Sequence, residues 1–270
     1  MASTVRKAGP GVVSAGVARW RATLAVLERN LVLYRRLWWA SVFSSFVLPV
    51  LFLLSIGIGV GGYVGEVGGV SYLAWIVPGV LASMAFQVVV EECTWPVLGD
   101  FKWTRAYHAM AATPVAVGDM LRGWLLYMLV RVELAAVVFL GVAAAFGALR
   151  SPWALVTPLV AGLLGLAVAA PMTAFSARVE TDGYFPLVFR FVVIPATLFA
   201  GVFFPVEQLA PALRAVAYAT PLWHGVELCR AATLGVAPAW PVWAHVGYLA
   251  VLALAGCLWA ARSFRRRLYG

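Results

Sequence analysis

Six stretches of this chain stay apolar for long enough to cross a lipid bilayer, and this limits the fold more than any motif does. Hydrocarbon offers no hydrogen-bond partners, so a spanning backbone must satisfy its own polar groups, as a helix does. At 1.5 Å per residue, about 20 residues cover a hydrocarbon core of roughly 30 Å. The runs lie near 41–61, 72–91, 121–146, 153–177, 187–204 and 242–261. They predict an all-α polytopic membrane protein with six transmembrane helices, a single domain over residues 1–270. The chain is 63% hydrophobic and 11% charged, with a mean hydropathy of +0.92, well beyond what a soluble domain of 270 residues needs. Pro78, Pro158, Pro171 and Pro195 fall inside runs, where proline is tolerated and predicts kinks.

The net charge of +9 follows the membrane rather than a nucleic acid. Seven of the 20 Lys/Arg precede the first run (Arg6, Lys7, Arg19, Arg21, Arg29, Arg35 and Arg36), and four follow the last (Arg262, Arg265, Arg266 and Arg267). Lys102, Arg105 and Arg122 flank the second connection. The positive-inside rule then predicts both termini in the cytoplasm, as an even number of spans requires. About 40 mostly polar or amphipathic residues precede the first run, so no cleavable signal peptide is expected. Cys93, Cys229 and Cys257 make no disulfide framework.

Three segments are amphipathic rather than apolar. In residues 17–39, Val17, Trp20, Leu24, Leu27, Leu31, Tyr34 and Trp38 recur every three or four positions, with Arg21, Glu28 and Arg35 on another face. This predicts a helix in the cytoplasmic membrane interface, its basic residues meeting anionic lipid headgroups. The second connection, 99–120, holds Trp103, Arg105, Tyr107 and His108, then a short helical run stopped before Thr113-Pro114, with Asp119 placed to cap the third span. Its aromatics suit a docking element for a cytoplasmic partner. The third segment, 203–235, reads FFPVEQLAPALRAVAYATPLWHGVELCRAATLG, too polar for a free span and too regular for a solvated loop. It predicts two short external re-entrant helices separated at Pro221. The GxGxxG match at Gly57–Gly62 lacks a preceding strand and a following acidic residue, so it carries no dinucleotide prediction.

Two of these segments resemble a known family. YHAMAATPV (107–115) and FAGVFFPVEQLAPALRAVAYATPLWHGVELCR (199–230) are similar to the membrane subunit of type-2 ABC exporters. The nearest branch holds nodulation lipooligosaccharide exporters and daunorubicin-type drug efflux permeases. The resemblance implies a homodimer of six-span subunits bound to two ATPase subunits, with ATP and Mg held by the ATPases. It implies contact with the ATPases through the interfacial helix and through Trp103, Arg105, Tyr107, His108, Thr113 and Pro114. It implies an external lid over about Val206–Leu234, with Pro205, Glu207, Pro221, His224, Glu227 and Arg230 in it. One departure is that the family's loop often begins with glutamates, whereas Glu91 and Glu92 here end the second span. Consistent with this division of labour, no GxxxxGKS or GxxxxGKT sequence is present to cradle ATP phosphates.

Few residues carry chemistry of their own. Arg131 and Glu133 lie inside the third span, where charge is expensive and faces a cavity or a partner. Two apart on a helix, they point in different directions. Arg131 therefore either lines a substrate path between two subunits, with Phe199 and Phe203, where it meets an anionic headgroup, or bonds to neighbouring helices or snorkels to the cytoplasmic interface, and for Glu133 the second reading is preferred. Arg190 follows Glu180 and Asp182, and either pairs with one of them or snorkels to the interface. His224 and Glu227 share a helix face but lack a third ligand, so no metal site is predicted. The leading function is a permease subunit exporting a lipid-linked glycan, glycolipid or amphipathic drug across the bacterial cytoplasmic membrane, not an enzyme, with no cofactor of its own. The alternative is a membrane-embedded lipid-modifying enzyme with His224 and Glu227 as external acid and base. A secondary transporter is disfavoured by the lack of an inverted repeat.

Overall fold

The computed structural model describes residues 12–36, 47–60, 63, 65–67 and 69–270. Trp38, Trp39 and the start of the expected first span, 41–46, lie outside them. Helix α1 (Val12–Arg36) covers most of the predicted interfacial segment. The rest of the first span is α2 (Leu48–Leu54), continued by a π-helical turn over Ser55–Val60. A two-residue hairpin, β1 (Glu66–Val67) with β2 (Val70–Ser71), then leads into α3 (Tyr72–Cys93), whose first turn is capped by the Ser71 hydroxyl.

The next connection is more helical than the sequence suggests. It holds α4 (Trp95–Lys102) and α5 (Ala106–Ala111) before α6 (Val117–Ala145) begins. The Asp119 carboxylate accepts from the Ala116 amide at 3.2 Å, so it caps the third span, but from within the first turn of α6, which begins two residues earlier at Val117. A 3₁₀ turn over Pro152–Val156 opens α7 (Thr157–Ser176). The fifth span is broken into α8 (Phe185–Val188), a π-helical turn over Phe189–Val193 and α9 (Ile194–Phe199). Pro195 has no N–H for the carbonyl four residues back, and the widened turn sits just before it. Next come α10 (Pro211–Tyr218), α11 (Pro221–Leu234) and α12 (Val242–Tyr269).

Five stretches among the described residues are long and apolar enough to span a membrane: Tyr72–Lys102, Val117–Ala145, Pro152–Ser176, Asp182–Phe199 and Val242–Tyr269. They coincide with the second to sixth predicted runs. The helix α3 is central, packed on α7, α11 and α6, while α12 lies along α7. Of the apolar stretch that includes α3, 78% is buried, against 17% for the broken fifth span, which stands at the margin of the bundle.

The helix α1 is not merely a surface helix. Thr23, Val26 and Asn30 are buried on the side that packs on α6, while Trp20, Leu24 and Leu33 remain exposed. Gly123 makes this possible, since a β-carbon there would lie 2.6 Å from Val26 and 2.8 Å from the Thr23 carbonyl. At the other end of the fold, Gly201 takes φ +79°, a conformation that ordinary residues resist, and turns the chain out of the fifth span after Phe199.

Candidate functional site

The helix α3 carries two strips at intervals of four residues. Val80, Met84 and Val88 form one, and Ser83, Gln87 and Glu91 form the other. Residues four apart stack on one helical face, so a hydroxyl, an amide and a carboxylate run in a line beside an apolar track. Both strips face a cavity of about 570 Å³ bounded by α2, α3, α6 and the 197–203 segment, with Leu51, Phe52 and Phe203 also in its walls. The Gln87 amide donates to the Ser83 hydroxyl at 3.3 Å. The spacing of this polar strip was visible in the sequence, but the strip is hidden in an otherwise apolar run, and sequence reasoning passed over it.

Arg131 enters the cavity from α6. It donates to Glu92 at 2.8 Å, and its guanidinium lies 4.4 Å from the centre of the Tyr34 ring on α1. The expected bond to a neighbouring helix is present, and the same side chain also lines the cavity. Phe203 lines the cavity and Phe199 does not. Glu133 points away, against Gly162 of α7. No ion pair joins Arg190 to Glu180 or Asp182 among the described residues, so of its two expected accounts the pairing is not seen.

The Glu92 end of α3 continues into α4 and α5. Arg29 of α1 makes a two-pronged bond to Asp100 at 2.9 and 3.1 Å, and Thr104 donates to the same carboxylate at 2.9 Å. Helix α1 therefore touches both the cavity-lining Arg131, through Tyr34, and the 99–120 connection, through Arg29. Of the residues expected to meet a partner, Trp103 (61% exposed), Arg105, His108, Thr113 and Pro114 project outward. Tyr107 does not. It is 1% exposed, with its ring 4.5 Å from Phe101 and 5.0 Å from Phe264 of α12. Its place as a contact residue is corrected: Tyr107 faces inward and anchors the loop to the bundle. Burial pushes its hydroxyl well above the usual tyrosine range. Arg105 holds φ 52°, a strained conformation for a side-chain-bearing residue, just where α5 begins.

The segment 203–235 closes the opposite end of α3, where Tyr72 donates to the Phe203 carbonyl at 3.5 Å. His224 and Glu227, expected as one polar group on a shared face, belong to two separate networks. The Glu227 carboxylate accepts from Arg230 at 2.9 Å and from the Ala239 amide at 2.9 Å. Arg230 also donates to the Gly201 carbonyl at 2.6 Å and lies 4.3 Å from the Trp75 ring centre, so it ties α11, α3 and the turn after α9 together. Glu207 sits in a 3₁₀ turn and reaches Arg214 only through its backbone carbonyl.

His224 is 1% exposed and lies face to face with Tyr248 of α12, ring centres 4.0 Å apart. Its Nε2 is 3.1 Å from the Tyr218 carbonyl, and its Nδ1 is 2.9 Å from Nδ1 of His245. A carbonyl only accepts, so His224 Nε2 carries the hydrogen. The neutral His224 Nδ1 then accepts from Nδ1–H of His245. His245 Nε2 is left buried without a partner. Burial first, and His245 second, push the His224 pKa down to about 4. Among the described residues no group of three or more His, Cys, Asp or Glu could hold a metal.

The described residues thus form a bundle of apolar helices with a cavity that sets an apolar wall beside a polar strip. The ABC-2 type transporter family matches residues 21–234, and the chain belongs to that family. It is 31% identical to nodulation protein J of Rhizobium leguminosarum bv. viciae over 261 residues, which is 96% of this chain and 99% of that protein. Nodulation protein J of Rhizobium meliloti is 30% identical over 91% of this chain and 93% of its own length. That of Bradyrhizobium diazoefficiens is 29% identical over 95% and 97%.

Proposed function

We propose that this permease works as a homodimer with two separate ATPase subunits and carries an amphiphile outward across the bacterial cytoplasmic membrane, with both termini inside. A lipid-linked glycan, a glycolipid and an amphipathic drug all have the required form, a polar head on an apolar body. The observation that carries this reading is the cavity between α2, α3, α6 and the 197–203 segment, which pairs apolar walls with the Ser83–Gln87–Glu91 strip. Binding energy for such a molecule comes from apolar area on one side and a few polar contacts on the other. ATP and Mg belong to the partner subunits, which meet the exposed residues Trp103, Arg105, His108, Thr113 and Pro114. Motion of that loop reaches the cavity through Asp100, Arg29 and the Tyr34–Arg131 contact.

The enzyme alternative loses its site. His224 is sealed by Trp223, Tyr248 and Trp240, and both oxygens of Glu227 are already engaged. The test is co-expression with a candidate ABC ATPase, reading ATP-dependent uptake of a labelled amphiphile into inverted membrane vesicles. Uptake that persists without the ATPase, or hydrolysis indifferent to the permease, overturns the reading. Impermeant maleimide labelling of single cysteines at Ala210 and Ala109 checks the orientation. Labelling of Ala109 from outside the cell would reverse it.

A further inference from the structure

The cavity contains an unbalanced charge. Arg131 is neutralised by Glu92 at 2.8 Å and covered on one side by Tyr34. Glu91 also lines the cavity, and among the described residues it enters no ion pair. Among the described residues no lysine, and no arginine besides Arg131, contributes to the wall. Two carboxylates against one guanidinium leave the polar end of the groove negative. Above it, Gln87 and Ser83 continue the same strip with groups that accept hydrogen bonds as well as donate them. The remaining wall, including Phe52, Met84 and Phe203, is apolar.

We propose, resting on the reading of this cavity as the transport path, that Glu91 determines its specificity. It receives the positively charged, amine-bearing head of an amphiphile, while the apolar wall takes the tail. A phosphorylated head is rejected, because Arg131 is already paired with Glu92. Opposite charge at close range is favoured, and a like charge facing Glu91 is opposed. Arg131 accordingly acts as a support that holds Glu92 and Tyr34, not as an anion receptor.

Three probes with the same twelve-carbon tail separate the possibilities: dodecylammonium, dodecyl maltoside and dodecyl phosphate. They are titrated against the full chain in phosphatidylcholine nanodiscs, with an environment-sensitive dye on a cysteine introduced at Met84, the three native cysteines being replaced, as a fluorescent reporter in the cavity wall. The expected order is ammonium tightest and phosphate weakest. Glu91→Gln, which keeps the side-chain shape, should weaken the ammonium probe by about tenfold or more and leave the maltoside unchanged. Glu91→Asp should restore part of the preference, which a folding defect would not do. Phosphate binding as tightly as ammonium, or an unchanged ammonium affinity in Glu91→Gln, overturns the inference. If the reporter responds to all three probes alike, the transport path stands and this inference alone falls. If it responds to none, the cavity reading itself fails.

Discussion

The two ends of α12 meet very different surroundings. Near its start, His245 faces His224 in an aromatic enclosure of Trp223, Trp240 and Tyr248, and the neighbouring Arg230–Glu227 pair is spent on backbone groups and on Trp75. Near its finish, Phe264 packs on Tyr107 and Phe101, but just beyond that packing lie the exposed Trp103, Arg105 and His108. The first end is closed upon itself. The second is anchored inside and open outside. A surface whose polar groups already bond within the chain has little left to offer a partner. A packed floor carrying exposed aromatic and basic groups has much to offer, and this is the end where we propose that the ATPases dock.

That contrast breaks most sharply at Tyr107. Replacing it with Asp places a charge in the aromatic floor, and membrane-inserted yield and detergent melting should fall by the equivalent of about 4 kcal/mol. Trp103→Asp, on the exposed side of the same loop, should leave both unchanged and reduce co-purification of the ATPase instead. Equal effects on folding would erase the distinction between floor and surface.

At the closed end, Arg230→Ala strands Glu227 and the Gly201 carbonyl and should cost roughly 3 kcal/mol, read as a lower melting temperature. Arg230→Lys cannot bond Glu227 and Gly201 while covering Trp75, so it should rescue little. Full rescue by lysine would mean that charge alone matters there.

Acidity offers a gentler probe of the same end. With His224 held near pH 4 against an ordinary value of 6.5, the unfolded chain binds more protons between those limits. Stability contributed by the neutral imidazole is therefore complete above about pH 6.5 and lost as pH falls toward about 4. Melting followed over that window should show the loss in the wild type and less of it in His224→Asn. Identical pH profiles would detach the histidine pair from the stability of the cap.

The smallest effect on folding belongs to Arg29→Ala. Its pair with Asp100 is partly exposed, so stability should change by about 1 kcal/mol or less. Permease-stimulated ATP hydrolysis should fall much further, if α1 links loop and cavity as proposed. Normal stimulation would remove Arg29 from that route.

Much of this was already decided along the chain. Runs of about 20 apolar residues must become helices in hydrocarbon whatever their neighbours do, so the spans from Tyr72 onward could be located without a structure. The same holds for local chemistry, where Asp119 caps a helix, Gly201 turns the chain and Pro221 begins α11 because each acts on the backbone within a few residues. Direction and partnership are different, since they depend on which helices lie side by side. Helical spacing put His224 and Glu227 on one face, yet the packing of α12 gave the first to His245, while the chain after α11 and the turn after α9 drew the second and Arg230 elsewhere. Tyr107 had the composition of a contact residue until α12 brought Phe264 over it. Glu91 and Glu92 are adjacent and chemically alike, and only the approach of α6 with Arg131 made one of them a structural partner and left the other facing the cavity.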